Sequence, residues 1–169
     1  MSHLVFIALG TNLGDRFENL RQARQALSPA VHILESSPIY QTPPWGYLDQ
    51  PAFLNQVVRG ETGLSPLELL ALLKRLEAEL GRLPGIRNGP RQIDLDFLFY
   101  DDLALETPVL TIPHPRIAGR GFVLVPLADL APDLRHPLTG QPISEMLAEC
   151  DLTGIFPFQP TADAQGKGG

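Results

Sequence analysis

The sequence predicts an α+β fold in which helices pack on a mainly antiparallel sheet. Strand-like apolar runs and helical-period segments follow one another as β-α-β-β-α-β over residues 3 to 100. The second helix, residues 65 to 81, is clearly delimited, because Ser65 can cap it, Pro66 takes its first position and Glu68 completes a capping box. This element order is that of the ferredoxin-like core, whose two helices lie on one face of the sheet.

The other elements follow from local patterns. The first helix has apolar residues at helical spacing between Asp15, a candidate N-cap, and the stop signal Ser28-Pro29. The expected strands are short apolar runs bounded by Gly and Pro. They lie at residues 3 to 9, 31 to 42 and 53 to 62 and in the run that ends at residue 100, and the C-terminal additions are a strand near 109 to 112 and helices near 121 to 130 and 141 to 149.

Length and composition indicate one globular domain. The chain has 169 residues, of which 44% are hydrophobic and 19% charged. We expect the domain to cover residues 1 to 158 and the tail 159 to 169 to be disordered. No apolar run is long enough to span a bilayer, and the first residues lack the features of a signal peptide. The single cysteine, Cys150, suits a reducing compartment. We therefore expect a cytoplasmic monomer without a membrane partner.

The net charge argues against nucleic acid as a partner. A formal charge of -6 is the opposite of the basic face that duplex binding requires. Any anion site must therefore be a local group of arginines that works against the overall field.

Two aspartates interrupt the last predicted strand of the core. Asp94 and Asp96 in "RQIDLDFLFY" point to the same face of a strand, while Ile93, Leu95 and Phe97 face the core. Adjacent carboxylates repel each other unless they are solvated, protonated or bridged by a cation. Mg²⁺ suits such oxygen ligands and typically takes one or two carboxylates plus substrate phosphates. The alternative is a sheet with one wet face, on which both aspartates are simply solvated.

Arginines lie on both sides of this strand in the sequence. Arg82, Arg87 and Arg91 precede it, and Arg116 and Arg120 follow it. Guanidinium groups bind phosphates in a fixed fork geometry. Metal-binding carboxylates opposite several arginines are what phosphoryl or pyrophosphoryl transfer requires. Taken singly, each arginine is also explained as a solvated surface side chain.

The common phosphate-binding loops do not account for nucleotide binding here. The chain has no G-x-x-x-x-G-K-[ST] loop and no protein-kinase signature. The stretch "GTNLG" at residues 10 to 14 is better explained by a turn that leads into a capped helix than by a phosphate loop.

A second candidate pocket involves the proline-rich loop in "TPPWGYLDQPAFLNQ", whose backbone is stiff. The amide of Asn55 offers donors and an acceptor to a flat heterocycle, and Phe53 and Phe122 could stack on its two faces. His114 is flanked by prolines in "IPHPR" and could contact a phosphate or carry a proton. Core packing of both rings, a satisfied strand-edge amide and a structural histidine remain the alternatives.

Five ordered motifs resemble those of the 6-hydroxymethyl-7,8-dihydropterin pyrophosphokinase family of folate biosynthesis. The motifs are "ALGTNLGD", "YQTPPWG…DQPAFLNQVV", "LEAELGR", "GPRQIDLDFL" and "PHPRIAGRGFVLVPLADLAP", and the likeness covers residues 4 to 149. The resemblance implies a ferredoxin-like α+β fold. It also implies transfer of pyrophosphate from ATP to the pterin hydroxymethyl oxygen, with release of AMP.

The resemblance further implies roles for individual residues. Asp94 and Asp96 would hold two Mg²⁺ ions and, with Arg82 and Arg91, form the catalytic group. The implied ATP contacts are Glu77, Arg82, Arg91, His114 and Arg120, and the implied pterin contacts are Thr42, Pro43, Trp45, Phe53, Asn55, Asp94 and Phe122.

Some positions depart from the family pattern. Asn88 stands where many relatives carry a tryptophan, and Pro84 or Gly85 stands where many carry a basic residue. Phe53 replaces the tyrosine of some relatives, which keeps the stacking surface and removes the hydroxyl. These differences leave the chemistry intact and concern the closure of the loop 81 to 89, which we expect to exclude water from the site.

Two rival functions stay open at this point. A metal-dependent nucleotidyltransferase also uses a D-x-D pair, but it attaches the nucleotide to its product. A non-catalytic ferredoxin-like binding module would show no magnesium-dependent turnover and would leave the arginines without a task. An assay for free AMP separates all three functions.

Overall fold

The computed structural model describes residues 2–43, 51–81 and 92–159. The predicted site residues Trp45, Arg82 and Arg91 lie outside these ranges, as do Pro84, Gly85, Asn88 and most of the expected tail. Strands and helices follow one another in the predicted order. The strands are β1 (His3–Thr11), β2 (Val31–Ser36), β3 (Tyr40–Thr42), β4 (Phe53–Thr62), β5 (Asp94–Tyr100), β6 (Leu105–Glu106), β7 (Thr111–Ile112) and β8 (Phe156–Pro157), and the helices are α1 (Arg16–Leu27), α2 (Pro66–Leu80), α3 (Gly121–Leu130) and α4 (Ile143–Ala148).

The main sheet has the ferredoxin-like strand order. β1 pairs antiparallel with β5 on one side and with β4 on the other. β4 then pairs with β2 and β3, and β8 adds to β3. Strands β6 and β7 form a separate two-stranded sheet. The predicted α+β class with a mainly antiparallel sheet is confirmed.

The region expected to form one strand over residues 31 to 42 forms two. Pro38 has no N–H to continue the ladder. Ser37 instead closes the break, because its backbone N–H donates to the Val57 carbonyl and its hydroxyl accepts from the Val57 N–H, both at 2.9 Å. The chain therefore returns to the same neighbour, β4, as β3.

Both long helices have the predicted caps. The side chain of Asp15 accepts from the Glu18 N–H at 3.1 Å, which confirms the predicted N-cap of α1. Of the expected turn "GTNLG", Gly10 and Thr11 belong to β1, and the bend into α1 begins only after them. Ser65 and Glu68 form a capping box at the start of α2. In the described part of the chain, no helix has the length and apolarity needed to cross a bilayer.

Helices cover both faces of the sheet. α1 and α2 bury one face, as the ferredoxin-like order predicts, with a core that includes Leu20 and Leu73. The C-terminal helices α3 and α4 bury the other face, where Phe6 and Phe99 pack with Leu124. Burial of each such apolar side chain stabilises the folded state by about 1.5 to 3 kcal/mol relative to leaving it exposed. The sequence predicted the C-terminal helices but not that they complete a second core.

A β-bulge in β5 decides which side chains face each core. Ile7 lies opposite Phe97, and Phe6 opposite Phe99, so Leu98 is the extra residue. Leu95 and Phe97 belong to the core under α1 and α2, whereas Leu98 and Phe99 both belong to the core under α3 and α4. Asp94 and Asp96, which alternate with Leu95 and Phe97, therefore lie on the α3/α4 face.

Candidate active site

Four residues form a row across four strands on the α3/α4 face. In the sheet register, Asp94 lies opposite Gly10, Gly10 opposite Asn55, and Asn55 opposite Tyr40. Directly opposed Cβ atoms in antiparallel strands are about 4.5 to 5.5 Å apart. Since Gly10 has no side chain, the row contains a gap between the carboxylate of Asp94 and the amide of Asn55, with the backbone of β1 as its floor.

The gap depends on glycine at position 10. A Cβ atom there would lie 3.1 Å from Asn55 Oδ1 and 3.8 Å from Phe53 Cδ1. The amide oxygen of Asn55 and the ring of Phe53 therefore both border the space above Gly10. A flat ring that enters this space meets an aromatic face and a hydrogen-bonding edge together.

The amide of Asn55 is held in one orientation by Thr42. Asn55 Nδ2 donates to Thr42 Oγ1 at 2.7 Å, and the two residues are only 7% and 5% exposed. This bond leaves the amide oxygen and one N–H of Asn55 for a ligand. Thr42 thus acts on the predicted pocket through its side chain, in addition to the backbone contact that the family resemblance implies.

Tyr40 ends the row and ties β3 to α3. Its hydroxyl donates to Asp129 Oδ2. Burial, together with this hydrogen bond, raises the pKa of Tyr40 to about 12. The phenol therefore stays protonated and remains a donor across the neutral pH range.

Asp96 lies beside the start of α3. Arg120 Nη1 is 3.4 Å from Asp96 Oδ2, and the Asp96 side chain is 37% exposed. The guanidinium of Arg120 also lies 5.7 Å from the centre of the Phe122 ring. A shallow depression of about 290 Å³ adjoins this pair and is lined by Arg116, Gly119, Arg120 and Phe122. The guanidinium of Arg120 and the ring of Phe122 are thus brought together next to the carboxylate of Asp96.

His114 is fixed by two backbone contacts. Its N–H donates to the Leu98 carbonyl at 3.2 Å, and its Nδ1 accepts from the Arg116 N–H at 3.2 Å. Burial lowers the pKa of His114, and the positive charge of Arg120 lowers it further. The ring is therefore neutral at pH 7. With Nδ1 as an acceptor, the proton is on Nε2, where it can be donated to an anionic ligand.

Glu77 joins α2 to the aspartate strand. Its Oε2 accepts from the Leu95 N–H at 2.9 Å, between the two aspartates in sequence, and its Oε1 is 3.6 Å from Lys74 Nζ. The contact fixes the last turn of α2 against β5. The family resemblance implies that Glu77 lies near the nucleotide, and in the structure its carboxylate accepts from the backbone of β5, the strand that carries Asp94 and Asp96.

Asp94 and Asp96 would hold a metal as a pair. Across residues 2–43, 51–81 and 92–159, no group of three or more His, Cys, Asp or Glu side chains is arranged to bind an ion. The two carboxylates offer hard oxygen atoms on one face, which fits Mg²⁺ when substrate phosphates supply further ligands.

Local sequence patterns do not reveal the residue that shapes the gap. They also do not reveal the residues that hold Pro51 and Ala52, just before Phe53. Gly10 is the floor of the gap. Asn12 Nδ2 donates to the Pro51 carbonyl at 3.1 Å, and Arg16 Nη1 donates to the Ala52 carbonyl at 2.8 Å. Local patterns indicate only a turn at the motif "GTNLG". Its contacts with residues some forty positions away depend on strand register, which local patterns do not reveal.

The family model described as 7,8-dihydro-6-hydroxymethylpterin-pyrophosphokinase matches residues 6–132. The chain belongs to this pyrophosphokinase family. The family predicted from the ordered motifs is therefore confirmed.

Relatives of two kinds share the pyrophosphokinase region. The 2-amino-4-hydroxy-6-hydroxymethyldihydropteridine pyrophosphokinase of Pseudomonas aeruginosa is 43% identical over 157 residues, which are 92% of this chain and 96% of the relative. The folic acid synthesis protein fol1 of Schizosaccharomyces pombe is 44% identical over 90% of this chain. The bifunctional mitochondrial folate synthesis protein of Pisum sativum is 50% identical over 75% of it. The chain spans only 21% and 25% of these two longer proteins.

Solved structures support the fold. Wild-type Plasmodium falciparum HPPK-DHPS with pteroate superposes with a TM-score of 0.70 at 17% identity, over 88% of this chain and 42% of the other. At this identity the match shows the fold alone.

Proposed function

We propose that the chain transfers pyrophosphate from ATP to the hydroxymethyl oxygen of 6-hydroxymethyl-7,8-dihydropterin and releases AMP, as a step in folate synthesis. Membership of the pyrophosphokinase family supports this function. The observation that carries it is the row Asp94–Gly10–Asn55. In this row a carboxylate and an amide lie on either side of one gap, which supports roles in metal binding and ring recognition for transfer to an alcohol on a small heterocycle.

We propose that the enzyme depends on magnesium and that two Mg²⁺ ions bind at Asp94 and Asp96. The carboxylates share one face of β5, and their oxygen atoms suit this ion. When bound, Mg²⁺ offsets phosphate charge and lowers the cost of ionising the hydroxymethyl group. Arg120, 3.4 Å from Asp96, adds a fixed positive charge next to the pair.

The pterin is proposed to occupy the gap above Gly10. Phe53 and Phe122 would stack on the ring, and Asn55, oriented by Thr42, would bind its polar edge. The segment that carries Pro43 and Trp45 would bind the remaining polar groups. In this proposed arrangement the hydroxymethyl group would face Asp94.

The proposed phosphate contacts include Arg120, whose Nη1 lies 3.4 Å from Asp96 Oδ2. Arg120 and the Nε2–H of His114 would donate to phosphate oxygens, and Arg82, Arg91 and Glu77 complete the proposed ATP site. The hydroxymethyl oxygen forms a bond to the β-phosphorus, the bond between the β-phosphorus and the α-β bridging oxygen breaks, and AMP leaves with that oxygen. Arginine charge stabilises the growing charge on the transferring and leaving groups. The hydroxyl proton passes to solvent, and no protein base is assigned.

One incubation tests the function. The protein is mixed with ATP, magnesium and 6-hydroxymethyl-7,8-dihydropterin, and the products are separated by chromatography. We expect stoichiometric AMP and pterin pyrophosphate, both dependent on magnesium. A nucleotide attached to the pterin would instead identify a nucleotidyltransferase, and unchanged ATP would identify a binding module.

We also propose that the enzyme is a cytoplasmic monomer. The single cysteine supports a reducing compartment. Light scattering during size-exclusion chromatography should give the mass of one chain, 18.5 kDa.

A further inference from the structure

We propose that residues 151–158, here called the C-terminal strap, hold two walls of the pterin site at a fixed spacing and so set the affinity for the pterin. This inference rests on the proposed function. The strap lies outside residues 6–132, which the family model matches. The two walls are the end of β3 with Pro43, and the start of α3 with Phe122.

The strap binds the first wall as a strand. Within it, β8 pairs antiparallel with β3, with Pro157 opposite Tyr40 and Phe156 opposite Gln41. The Phe158 N–H also donates to the Ile39 carbonyl at 2.8 Å. The ladder ends one residue before Thr42, whose hydroxyl orients Asn55.

A glycine then brings the strap against Pro43. Gly154 has φ of +84°, and a Cβ atom there would lie 3.1 Å from both Cδ and Cγ of Pro43. Side chains are therefore disfavoured at this position for two reasons, a left-handed backbone and a close contact. The proline ring that begins one proposed pterin contact segment is packed directly on the strap.

The strap meets the second wall through another glycine. Gly121 lies between Arg120 and Phe122 at the start of α3. A Cβ atom at Gly121 would lie 3.0 Å from Ile155 Cδ1, 3.1 Å from the Asp151 carbonyl oxygen and 3.1 Å from Leu152 Cδ2. The first turn of α3 is thus packed against the strap at the residue that separates a proposed phosphate contact from a proposed stacking ring.

The end of the strap is anchored to α1. The Phe158 ring lies 6.3 Å from the Phe17 ring, and the guanidinium of Arg16 lies 6.0 Å from the Phe158 ring centre. Arg16 also donates to the Ala52 carbonyl, next to Phe53. The strap therefore contacts the end of β3, the start of α3 and, through Arg16, the segment that leads into Phe53.

These contacts lead to a specific expectation for affinity. Stacking and edge recognition require ring positions held to within about 0.5 Å, and supporting contacts supply that precision. Loosening the strap should let the β3 wall move relative to α3. The pterin would lose affinity first, because Gly154 packs on Pro43 of the pterin wall. The proposed phosphate contacts have partners outside the strap, since Arg120 pairs with Asp96 and the His114 N–H donates to the Leu98 carbonyl.

The test compares two glycines that share a backbone conformation. Gly154→Ala introduces a Cβ against Pro43. Gly140→Ala is the matched control, because Gly140 has φ of +74° with no atom within 4 Å of its Cβ position. We expect Gly154→Ala to raise the KM for the pterin about fivefold to tenfold and to leave the KM for ATP within about twofold. Gly140→Ala should lower the melting temperature comparably without changing either KM.

A second pair of variants covers the case in which Gly154→Ala does not fold. Phe158→Ala removes the anchor, and Phe158→Leu keeps much of its bulk. We expect Phe158→Ala to raise the KM for the pterin without changing the KM for ATP. Phe158→Leu should have a KM for the pterin closer to the wild-type value.

The outcomes separate the strap from the function itself. If the wild-type protein produces no AMP, the proposed function fails. If the wild type is active, the inference is overturned when Gly154→Ala, or Phe158→Ala in its place, leaves the KM for the pterin unchanged or shifts both KM values equally. It is also overturned when Gly140→Ala has the same effect on the pterin.

Discussion

At the scale of residues, the candidate site is built around Gly10, which lies opposite both Asp94 and Asn55. The period of two in a strand is enough to put Asp94 and Asp96 on one face. The position of Gly10 opposite both Asp94 and Asn55 depends on the register of three strands, which are far apart in sequence. The sequence therefore predicts the chemistry of the site better than the shape of its floor.

The metal assignment predicts a near-complete loss of activity for Asp96→Ala. The substitution removes a proposed metal ligand and the acidic neighbour of Arg120, so we expect turnover to fall by at least about 100-fold. AMP release should be measured over a range of magnesium concentrations. Asp102→Ala, at an exposed aspartate just after β5, is the matched control and should be close to wild type. Near-normal AMP release by Asp96→Ala would contradict the assignment.

The Thr42–Asn55 bond predicts a selective loss of pterin binding. Thr42→Val keeps the side-chain shape but leaves Asn55 Nδ2 without its buried acceptor, which costs about 1 to 3 kcal/mol. We expect the KM for the pterin to rise about tenfold, with that for ATP unchanged. Thr42→Ser keeps the hydroxyl and should retain most of the affinity. Equal affinities for the Val and Ser variants would show that the hydroxyl has no such role.

At the scale of elements, helices were predicted more accurately than strands. The caps of α1 and α2 are local signals, and their predicted and observed bounds agree to within one residue. The break at Ser37 and the bulge at Leu98 were missed, because both depend on hydrogen bonds to a neighbouring strand. Local sequence shows Pro38 but not the Val57 contacts that close the break.

The capping box predicts a loss of stability for Ser65→Ala. The substitution removes the acceptor for the Glu68 N–H at the start of α2. We expect the free energy of unfolding to fall by about 0.5 to 2 kcal/mol, measured by urea denaturation, with kcat unchanged. Ser65→Asp keeps a capping oxygen, and its free energy of unfolding should remain within a few tenths of a kcal/mol of the wild-type value. Equal stability of the Ala variant and the wild type would rule out a contribution from the cap.

At the scale of the whole molecule, the sheet is shared by two cores. Composition and length predicted one domain, and the element order predicted helices on one face. The second core could not be predicted in the same way, because α3 and α4 are short, and α3 is apolar on most sides rather than amphipathic. The proposed site lies on the face that this second core covers. The contributions of Arg82, Arg91 and Trp45 stay predictions, since these residues lie outside the described ranges.

A shared sheet predicts one cooperative unfolding transition. Leu20 in the first core and Leu124 in the second are both fully buried. Leu20→Ala and Leu124→Ala should each lower the free energy of unfolding by about 2 to 5 kcal/mol. Circular dichroism and hydrogen exchange in urea should show the same midpoint in each variant. Two separate transitions in either variant would mean that the two faces unfold independently.

The contact of Glu77 with Leu95 has a consequence beyond catalysis. β5 is the end strand of the sheet within the described chain, and free donors on an outer strand are a template for pairing with other molecules. Glu77 occupies one such donor with a charged oxygen. A β-strand of another molecule that pairs with β5 would have to displace this carboxylate and desolvate it. The carboxylate of Glu77, which holds β5 against α2, is therefore also expected to disfavour intermolecular strand pairing at β5.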